Sequence, residues 1–292
     1  MTKVAILGGT GFIGKKISSI FEFNNYEVVQ FGRSHILDKN QSYCFADLFN
    51  SESLISALNK EKPDVVVSTA WDTEPGKFWS SDINIKYQNA TLDFAEICFR
   101  ANVSTFIGLG TVSEYGKSPG KCNWSKTSLE ATDVYSKSKI ETGILLEELG
   151  DKYGTNTHWA RVFQAFGPNE KHQRYIPSLI SSLKNGRKFL VKTPNYILDW
   201  IHTEDIASAV YFAYRNELSH FLDVGSGIGT SVSELSMMLC NKFKFDSDLL
   251  DFTEATPDHH KVAVADTCSQ LLTSGWAPKL SLSDRIQSLD YD

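Results

Sequence analysis

A glycine-rich turn near the start of the chain constrains its fold more than any other sequence feature. Residues 3–7 are an apolar run that predicts a strand, and residues 12–23 predict a helix. Between them lies Gly8-Gly9-Thr10-Gly11-Phe12-Ile13-Gly14. In such a unit the first glycine permits a tight turn, the next lets the backbone approach a pyrophosphate, and the last allows close helix–strand packing. Free N–H groups and the positive dipole end of the helix then face the phosphates. The segment therefore predicts a dinucleotide-binding fold rather than a merely tight turn.

The rest of the chain predicts an α/β protein. Apolar strand patterns alternate with helix patterns, which indicates a parallel sheet covered by helices on both faces. We expect a Rossmann-type doubly wound parallel sheet with a smaller C-terminal α/β substrate-binding lobe. Strands are expected at 3–7, 27–31, 65–67, 104–109, 157–163, 189–191 and 221–224, and helices at 12–23, 51–60, 82–101, 135–151, 176–184, 204–215, 231–242 and 281–289. The dinucleotide-binding domain is expected at 1–165, with a return segment near 198–224, and the lobe at 166–197 and 225–292.

Charge and cysteine usage limit the partners and the compartment. The formal net charge of -6 and the pI of about 5.7 argue against nucleic acid or an anionic membrane surface as the main partner. The five cysteines are scattered without a CxxC pair, which is typical of reduced thiols in the cytoplasm. No apolar run approaches the roughly 20 residues that span a bilayer, and the first residues lack the pattern of a secretory leader. We expect a cytoplasmic protein.

Tyr135 and Lys139 form the most informative pair of side chains. Both fall on a predicted helix, and a spacing of four places the phenol and the ammonium on one face. A phenol has a pKa of about 10 in water, and a neighbouring cation lowers that pKa. Tyr135 would then act as a general acid or base on a carbonyl or alcohol, and Lys139 could also bind a ribose. Such pairs also arise on helices by chance, but the glycine turn upstream favours the catalytic interpretation.

The end of the second predicted strand bears on the choice of cofactor. A carboxylate there would hold the ribose 2′-hydroxyl of NAD. Here residues 30–34 are QFGRS, and Arg33 with Ser34 could bind a 2′-phosphate through guanidinium and hydroxyl donors. NADP(H) is therefore favoured over NAD(H), although Arg33 could also be a solvated loop residue. Asp47 and Leu48 could contact adenine, or Asp47 could cap the nearby helix.

With these motifs in place, nearly the whole chain resembles the extended short-chain dehydrogenase/reductase family of nucleotide-sugar epimerases, dehydratases and reductases. Residues 108–116, GLGTVSEYG, resemble its catalytic serine/threonine stretch. In that alignment Thr111 takes the catalytic position, although it could also simply cap the strand end. Residues 161–168 and 198–207 resemble two further signatures, in which Gln164 and Leu198 replace the usual asparagine and arginine. The first of these signatures lies beside the nicotinamide in the family. Asn84 matches a helix asparagine that is mainly structural.

The resemblance implies three main reactions, and two segments rank them. The 4,6-dehydratases carry Asp-Glu directly after the catalytic threonine, where this chain has Val112 and Ser113, so dehydration is not expected. Residues 70–78, AWDTEPGKF, resemble bacterial 4-ketoreductases of the CDP-abequose synthase-like and dTDP-6-deoxyhexose 4-reductase-like kind, unless Trp71 and Phe78 merely pack over the cofactor. We expect reduction of a nucleotide-linked 4-keto-6-deoxyhexose, giving a deoxy-sugar nucleotide for O-antigen or other glycan biosynthesis. The alternatives are an epimerase with tightly bound NAD and a non-catalytic redox sensor, which would commonly lack the Tyr–Lys pair.

The resemblance also implies a set of site residues. The catalytic residues would be Thr111, Tyr135 and Lys139. The cofactor contacts would be Gly8, Thr10, Gly11, Phe12, Ile13, Gly14, Arg33, Ser34, Asp47, Leu48, Ala70, Trp71, Tyr135, Lys139 and Phe163. The nucleotide-diphosphate sugar would contact Thr111, Ser113, Gln164 and Arg174, with Lys171, Arg187, His172, His259 and His260 as further candidates near the diphosphate. No metal is expected. Family members often pair through two helices, here 82–101 and 135–151, so a homodimer is expected.

Overall fold

The helices and strands follow the predicted alternation, and the computed structural model describes them over residues 1–33, 42–253 and 261–290. The strands are β1 Lys3–Leu7, β2 Glu27–Gly32, β3 Ser42–Phe45, β4 Val65–Ser68, β5 Thr105–Thr111, β6 Gly120–Cys122, β7 Asn156–Val162, β8 Gln164–Phe166, β9 Phe189–Val191, β10 Ile197–His202, β11 Phe221–Val224, β12 Gly229–Ser231, β13 Leu250–Phe252 and β14 Val262–Ala265. The helices are α1 Gly14–Phe23, α2 Ser51–Glu61, α3 Ile83–Arg100, α4 Val134–Tyr153, α5 Tyr175–Lys184, α6 Thr203–Arg215, α7 Val232–Phe243, α8 Gln270–Thr273 and α9 Leu282–Gln287. Short 3-10 turns lie at Phe78–Ser80, Val112–Tyr115 and Ser247–Leu249.

Seven parallel strands form the main sheet, in the order β3-β2-β1-β4-β5-β7-β11. The strand order reverses between β1 and β4. Ligands of such sheets bind outside the carboxyl ends of the strands at this switch point. The glycine turn follows β1, and Thr111 ends β5. Both therefore lie at the edge of the sheet where a ligand is expected.

Helices bury both faces of the main sheet, which explains why its strands carry uninterrupted apolar runs. In β1, Val4 and Ile6 pack into a core with α1 and α6. Ala5 and Leu7 point to the opposite face and pack into a second core with α2, α3 and α4. Each of these four side chains is at most 2% exposed. Successive residues of a strand thus serve two cores, and the glycine turn is anchored between them.

Short strands form a second sheet, in the order β12-β10-β14-β6, with β8 paired to β10. None of these strands, which are three to six residues long, was predicted from the sequence. The segment 198–224 divides between the two sheets, since β10 lies in the second sheet and β11 at the edge of the main sheet. A third core, which includes Leu179, Trp200 and Leu235, fills this part of the molecule.

The predicted elements agree with the observed ones to within two residues at each end. The first helix begins at Gly14 rather than at residue 12, because residues 10–13 still belong to the turn. Among the described helices, none has the length and apolar character needed to cross a membrane.

Candidate active site

The turn after β1 closes tightly on its own backbone. Gly8 has a φ of +82°, and its N–H donates to the Phe31 carbonyl at 3.1 Å. The Gly11 N–H donates to the Gly8 carbonyl at 2.9 Å. A Cβ added at Gly14 would lie 2.2 Å from the Gly8 carbonyl oxygen, so no larger residue fits there. The N-cap of α1 is Ile13, which has no side-chain acceptor for the N–H groups of the first helical turn. Those N–H groups suit the phosphates of a dinucleotide.

A cleft of about 470 Å³ opens at the carboxyl ends of the strands and brings most of the predicted site together. The sequence-predicted residues that line it are Gly8, Thr10, Gly11, Phe12, Ile13, Gly14, Ala70, Trp71, Thr111, Ser113, Tyr135, Lys139, Phe163, Gln164, Lys171 and Arg174. A larger depression of about 600 Å³ lies at the opposite edge of the sheet, where β5 and β7 begin, and contains none of the predicted residues. The cleft is therefore the candidate active site.

Three of the predicted cofactor contacts that the structure describes lie outside the lining of the cleft. Arg33 is exposed and Leu48 is buried. The Asp47 carboxylate accepts the Phe49 N–H at 3.1 Å. Asn50 rather than Asp47 is the N-cap of α2, so the capping alternative for Asp47 is wrong.

Arg33 and Asp47 nevertheless lie near one residue beside the cleft. Burial raises the pKa of Tyr87, with smaller contributions from Asp72 and Asp47, which raise it, and Arg33, which lowers it. The Tyr87 ring stacks on Trp71 of the cleft at 5.6 Å. Among the other predictions, His172 and Arg187 are exposed and lie outside the cleft lining. Ser34, His259 and His260 lie outside the described residues.

Tyr135, Lys139 and Thr111 meet inside the cleft. Tyr135 lies in the first turn of α4, which Asp133 caps by accepting the Ser136 N–H at 2.7 Å. The Thr111 hydroxyl accepts the Ser113 N–H at 3.3 Å, and the Thr111 side chain lies close enough to Tyr135 to lower the pKa of the phenol. One helical turn later, the Lys139 ammonium donates to the Leu109 carbonyl at 2.7 Å and lies 3.6 Å from the centre of the Trp71 ring.

Burial shifts both ionisable groups of the pair. It raises the pKa of Tyr135 to about 12, against the effect of the Thr111 side chain, which lowers that pKa. It lowers the pKa of Lys139 to about 7, against the charge of Glu114, which raises that pKa. The expectation that Lys139 lowers the pKa of Tyr135 is therefore wrong for this arrangement. The phenol is only 7% exposed, and the ammonium is turned towards a backbone carbonyl and an indole ring.

Three aromatic rings from the segment before α3 enclose Tyr135. The ring centroids of Phe78, Trp79 and Trp71 lie 4.8, 5.5 and 6.5 Å from that of Tyr135. Asn84 holds this segment, since its Nδ2 donates to the Phe78 carbonyl at 2.6 Å and its Oδ1 accepts the Trp71 Nε1–H at 2.9 Å. The structural interpretation of Asn84 thus has a concrete basis. Trp79 was not predicted as a site residue from the sequence. Its position directly after the aromatic segment that contains Trp71 and Phe78 could have indicated it.

A second feature that sequence reasoning missed is a buried ion pair behind Thr111. The Arg161 Nε donates to the Glu114 carboxylate at 2.6 Å. Both residues are at most 1% exposed. Arg161 opens a motif that the family resemblance places beside the nicotinamide, but its own guanidinium faces Glu114. The only sequence signal for this ion pair was that a charged residue, Glu114 or Arg161, lies near the end of each of two predicted strands.

The set of ionisable groups limits the chemistry of the cleft. Among the described residues that line it, the ionisable ones are Tyr135, Lys139, Lys171 and Arg174. None of these lining residues is Asp, Glu, Cys or His, and no group of side chains suited to a metal ion occurs in the described part of the chain. The arrangement can therefore donate or accept a proton at Tyr135, and the other ionisable groups of this lining are the amines of Lys139 and Lys171 and the guanidinium of Arg174.

Comparison with known proteins agrees with this geometry. Residues 4–225 match the model of the NAD dependent epimerase/dehydratase family. A GDP-L-fucose synthase of Sinorhizobium fredii is 25% identical over 96% of this chain and 91% of the relative. An ADP-L-glycero-D-manno-heptose-6-epimerase of Brachyspira hyodysenteriae is 23% identical over 94% of this chain and 92% of the relative.

Solved structures share the fold across nearly the whole chain. A Thermotoga maritima UDP-glucose 4-epimerase with UDP-glucose superposes with a TM-score of 0.82 at 18% identity, over 98% of this chain and 96% of the other. A Bacillus anthracis dTDP-glucose 4,6-dehydratase in complex with NAD gives 0.83 at 17% identity, over 99% and 95%. The predicted α/β fold with a doubly wound parallel sheet is confirmed.

Proposed function

The chain belongs to the NAD dependent epimerase/dehydratase family, and we propose that it reduces a nucleotide-linked 4-keto-6-deoxyhexose with NAD(P)H, giving a deoxy-sugar nucleotide for glycan biosynthesis. One observation carries this proposal: the described lining of the cleft holds a single acid/base centre at Tyr135, because the Lys139 ammonium is turned towards the Leu109 carbonyl and the Trp71 ring. Thr111 lies beside Tyr135 and lowers its pKa, and none of the described residues lining the cleft has a carboxylate, thiol or imidazole.

The single centre separates the reactions open to the family. Eliminating water from a sugar requires an acid and a base in addition to the group at the carbonyl, but Val112 and Ser113 occupy the relevant cleft positions. Removing a proton beside a keto group likewise requires a further base. Proton transfer at one carbonyl or alcohol oxygen requires only Tyr135. The site therefore supports a change at one carbon rather than dehydration.

The mechanism follows from the positions of three side chains. A bound reduced nicotinamide supplies hydride to the keto carbon. Tyr135, whose pKa of about 12 keeps it protonated near neutral pH, donates its proton to the ketone oxygen. The Thr111 hydroxyl and the positive charge of Arg174 stabilise the phenolate that remains, since both lower the pKa of Tyr135. The aromatic rings of Phe78 and Trp79 keep water away from this proton transfer.

The charge of the cleft supports a diphosphate-containing substrate. Lys139, Lys171 and Arg174 line it without a lining carboxylate among the described residues, although the whole chain has a net charge of -6. Guanidinium and ammonium groups bind phosphate oxygens through charge-assisted hydrogen bonds. We assign Arg174 and Lys171 to the nucleotide diphosphate, with Ser113 and Gln164 near the sugar.

The glycine turn, with Ala70, Trp71 and Phe163, would hold the dinucleotide. NADP(H) remains our proposal over NAD(H), because the exposed Arg33 follows β2 where an acidic residue would bind the 2′-hydroxyl of NAD. Ser34, Asp47 and Leu48 complete the proposed adenosine end.

An NAD-retaining epimerase is the second candidate, since a 4-epimerisation also needs only one acid/base centre and several relatives are epimerases. A non-catalytic redox sensor is disfavoured by the intact Thr111, Tyr135 and Lys139.

Free thiols at all five cysteines support a reducing compartment, and we propose a cytoplasmic protein.

We also propose a homodimer through α3 and α4. These helices pack together and expose Ile85, Ile144 and Leu145 by 48%, 39% and 38%. Light scattering should then give about twice the chain mass of 32.7 kDa. A mass equal to that of one chain would contradict the dimer.

A panel of CDP-, dTDP-, GDP- and UDP-linked 4-keto-6-deoxy sugars tests the reaction. The reductase should oxidise one equivalent of NADPH or NADH per sugar, whereas an epimerase would show no net change in nicotinamide absorbance. Tyr135→Phe should lower kcat by roughly 100- to 10,000-fold while cofactor affinity is kept, because only the proton donor is removed. A Tyr135→Phe variant with nearly normal turnover would show that the assigned mechanism is wrong.

A further inference from the structure

The ion pair behind Thr111 is joined to the catalytic residues through hydrogen bonds on both carboxylate oxygens of Glu114. One oxygen, Oε1, accepts the Thr111 backbone N–H at 2.8 Å and the Trp159 Nε1–H at 3.1 Å. The other, Oε2, accepts the Arg161 Nε–H at 2.6 Å. Glu114 is 0% exposed. A carboxylate held on both oxygens has little freedom, so its bond to the Thr111 backbone holds the end of β5 in one place.

Close packing around Trp159 holds its indole against the Glu114 carboxylate. Its indole lies where an added Cβ at Gly108 or Gly143 would approach within 2.6 or 2.7 Å. A Cβ at Gly110 would lie 2.5 Å from both the Glu114 Oε1 and the Trp159 Nε1. Glycines on β5 and α4 thus leave a slot for one large ring. Because the slot leaves no room for even one extra carbon, the indole is held where its N–H donates to Glu114.

The same indole lies beside the catalytic lysine. The Lys139 ammonium is 5.3 Å from the Trp159 ring centroid. The charged groups that act on the pair come from several elements: Glu114 from the turn after β5, Asp133 before α4 and Arg174 before α5. Glu114 raises the pKa of Lys139, whereas burial lowers it. Among these groups Glu114 is the one whose charge acts on the ammonium itself.

We propose that Glu114 is a positioning residue of the active site, which holds Thr111 beside Tyr135 and places a buried carboxylate against the Trp159 indole that lies beside Lys139. Its effect on turnover rests on the proposed function. Its effect on Lys139 does not, because the ionisation of a lysine can be followed without any substrate.

Glu114→Gln is the direct test, since glutamine keeps an acceptor for the Thr111 N–H and removes the charge. Competitive labelling with acetic anhydride, followed by peptide mass spectrometry, measures the pH at which Lys139 becomes half reactive. We expect this midpoint to fall by about one pH unit, because an opposite charge nearby has been removed. We also expect kcat to fall about tenfold or more with little change in KM, because a displaced Thr111 weakens the transition state more than substrate binding.

Glu114→Gln leaves Arg161 buried without its partner, which can prevent folding. The double variant Glu114→Gln/Arg161→Gln removes both charges and should still lower the labelling midpoint of Lys139. Tyr115→Phe is the matched control, because Tyr115 accepts from Arg161 at 3.4 Å and donates to Asp223 at 2.5 Å in the same buried network. It should lose stability but keep the midpoint and kcat of the unmodified protein.

A midpoint in the folded Glu114 variants equal to that of Tyr115→Phe would overturn the proposal, as would a kcat no lower than that of the control. If no keto sugar is reduced by the unmodified protein, the proposed function fails, while the labelling midpoints still decide the role of Glu114.

Discussion

We expect that the buried ammonium of Lys139 lowers the free energy of unfolding. The Lys139→Met variant, which has an apolar side chain at this position, measures the size of this effect. The side chain is 4% exposed, and burial lowers its pKa from 10.5 to about 7. At about 1.4 kcal/mol for each pKa unit, the buried charge costs on the order of 5 kcal/mol. Methionine loses the bond to the Leu109 carbonyl and the contact with Trp71, which offset about 2 kcal/mol. We expect the variant to be inactive but more stable by roughly 2 to 3 kcal/mol at pH 6.

The pH dependence of this difference gives the sharper test. Below pH 7 the lysine is protonated in the folded and the unfolded chain, so the whole cost of burying the charge is present. Above pH 7 the folded protein releases the proton, while the unfolded chain keeps it up to its pKa of 10.5. The unfolded chain then binds more protons, so the stability of the unmodified protein rises with pH. The advantage of Lys139→Met should therefore shrink by about 1.4 kcal/mol per pH unit above pH 7.

Urea unfolding at pH 6, 7, 8 and 9, followed by tryptophan fluorescence, measures the difference. Lys137→Met is the matched control, because Lys137 lies on the same helix with a side chain 67% exposed. Its difference from the unmodified protein should stay constant across this range. If Lys139→Met is the less stable protein at pH 6, or if its advantage does not shrink with pH, the burial argument for Lys139 is wrong.

Three further substitutions test other parts of the site. Gly14→Ala places a Cβ 2.2 Å from the Gly8 carbonyl oxygen, so titration with the dinucleotide should show an affinity about 100-fold lower. An unchanged Kd would contradict the assignment of this turn to the phosphates. Arg33→Ala should lower the ratio of NADPH to NADH kcat/KM about tenfold, and an unchanged ratio would count against a 2′-phosphate contact. Trp79 lines the cleft and is 43% exposed, so Trp79→Ala should lower kcat/KM for a 6-deoxy sugar nucleotide about tenfold without changing the affinity for the cofactor. A tenfold loss of cofactor affinity as well would show that the substitution disrupts the whole segment before α3.

The amino-acid sequence by itself determined the features that depend on neighbours along the chain. The glycine turn could be predicted because strand, turn and helix follow one another within residues 3–23, and each glycine answers a local steric need. Tyr135 and Lys139 could be paired because a helix brings residues four apart onto one face. The parallel sheet followed from uninterrupted apolar strands such as β4.

Only the tertiary structure decided the features that join distant parts of the chain. Glu114 and Arg161 are separated by 47 positions, and no periodicity links them. The short strands β10 and β14 acquire their partners only when the second sheet assembles.

The tertiary structure also decides the ionisation of Tyr135 and Lys139. The sequence predicts that Lys139 assists Tyr135 through its charge, but the enclosure by Trp71, Phe78 and Trp79 raises the pKa of Tyr135 to about 12. Desolvation depends on every group packed around a side chain, whereas a sequence motif specifies only the residues next to it. For this reason Tyr135 and Lys139 could be proposed as catalytic residues from the sequence, while their protonation required the packed structure.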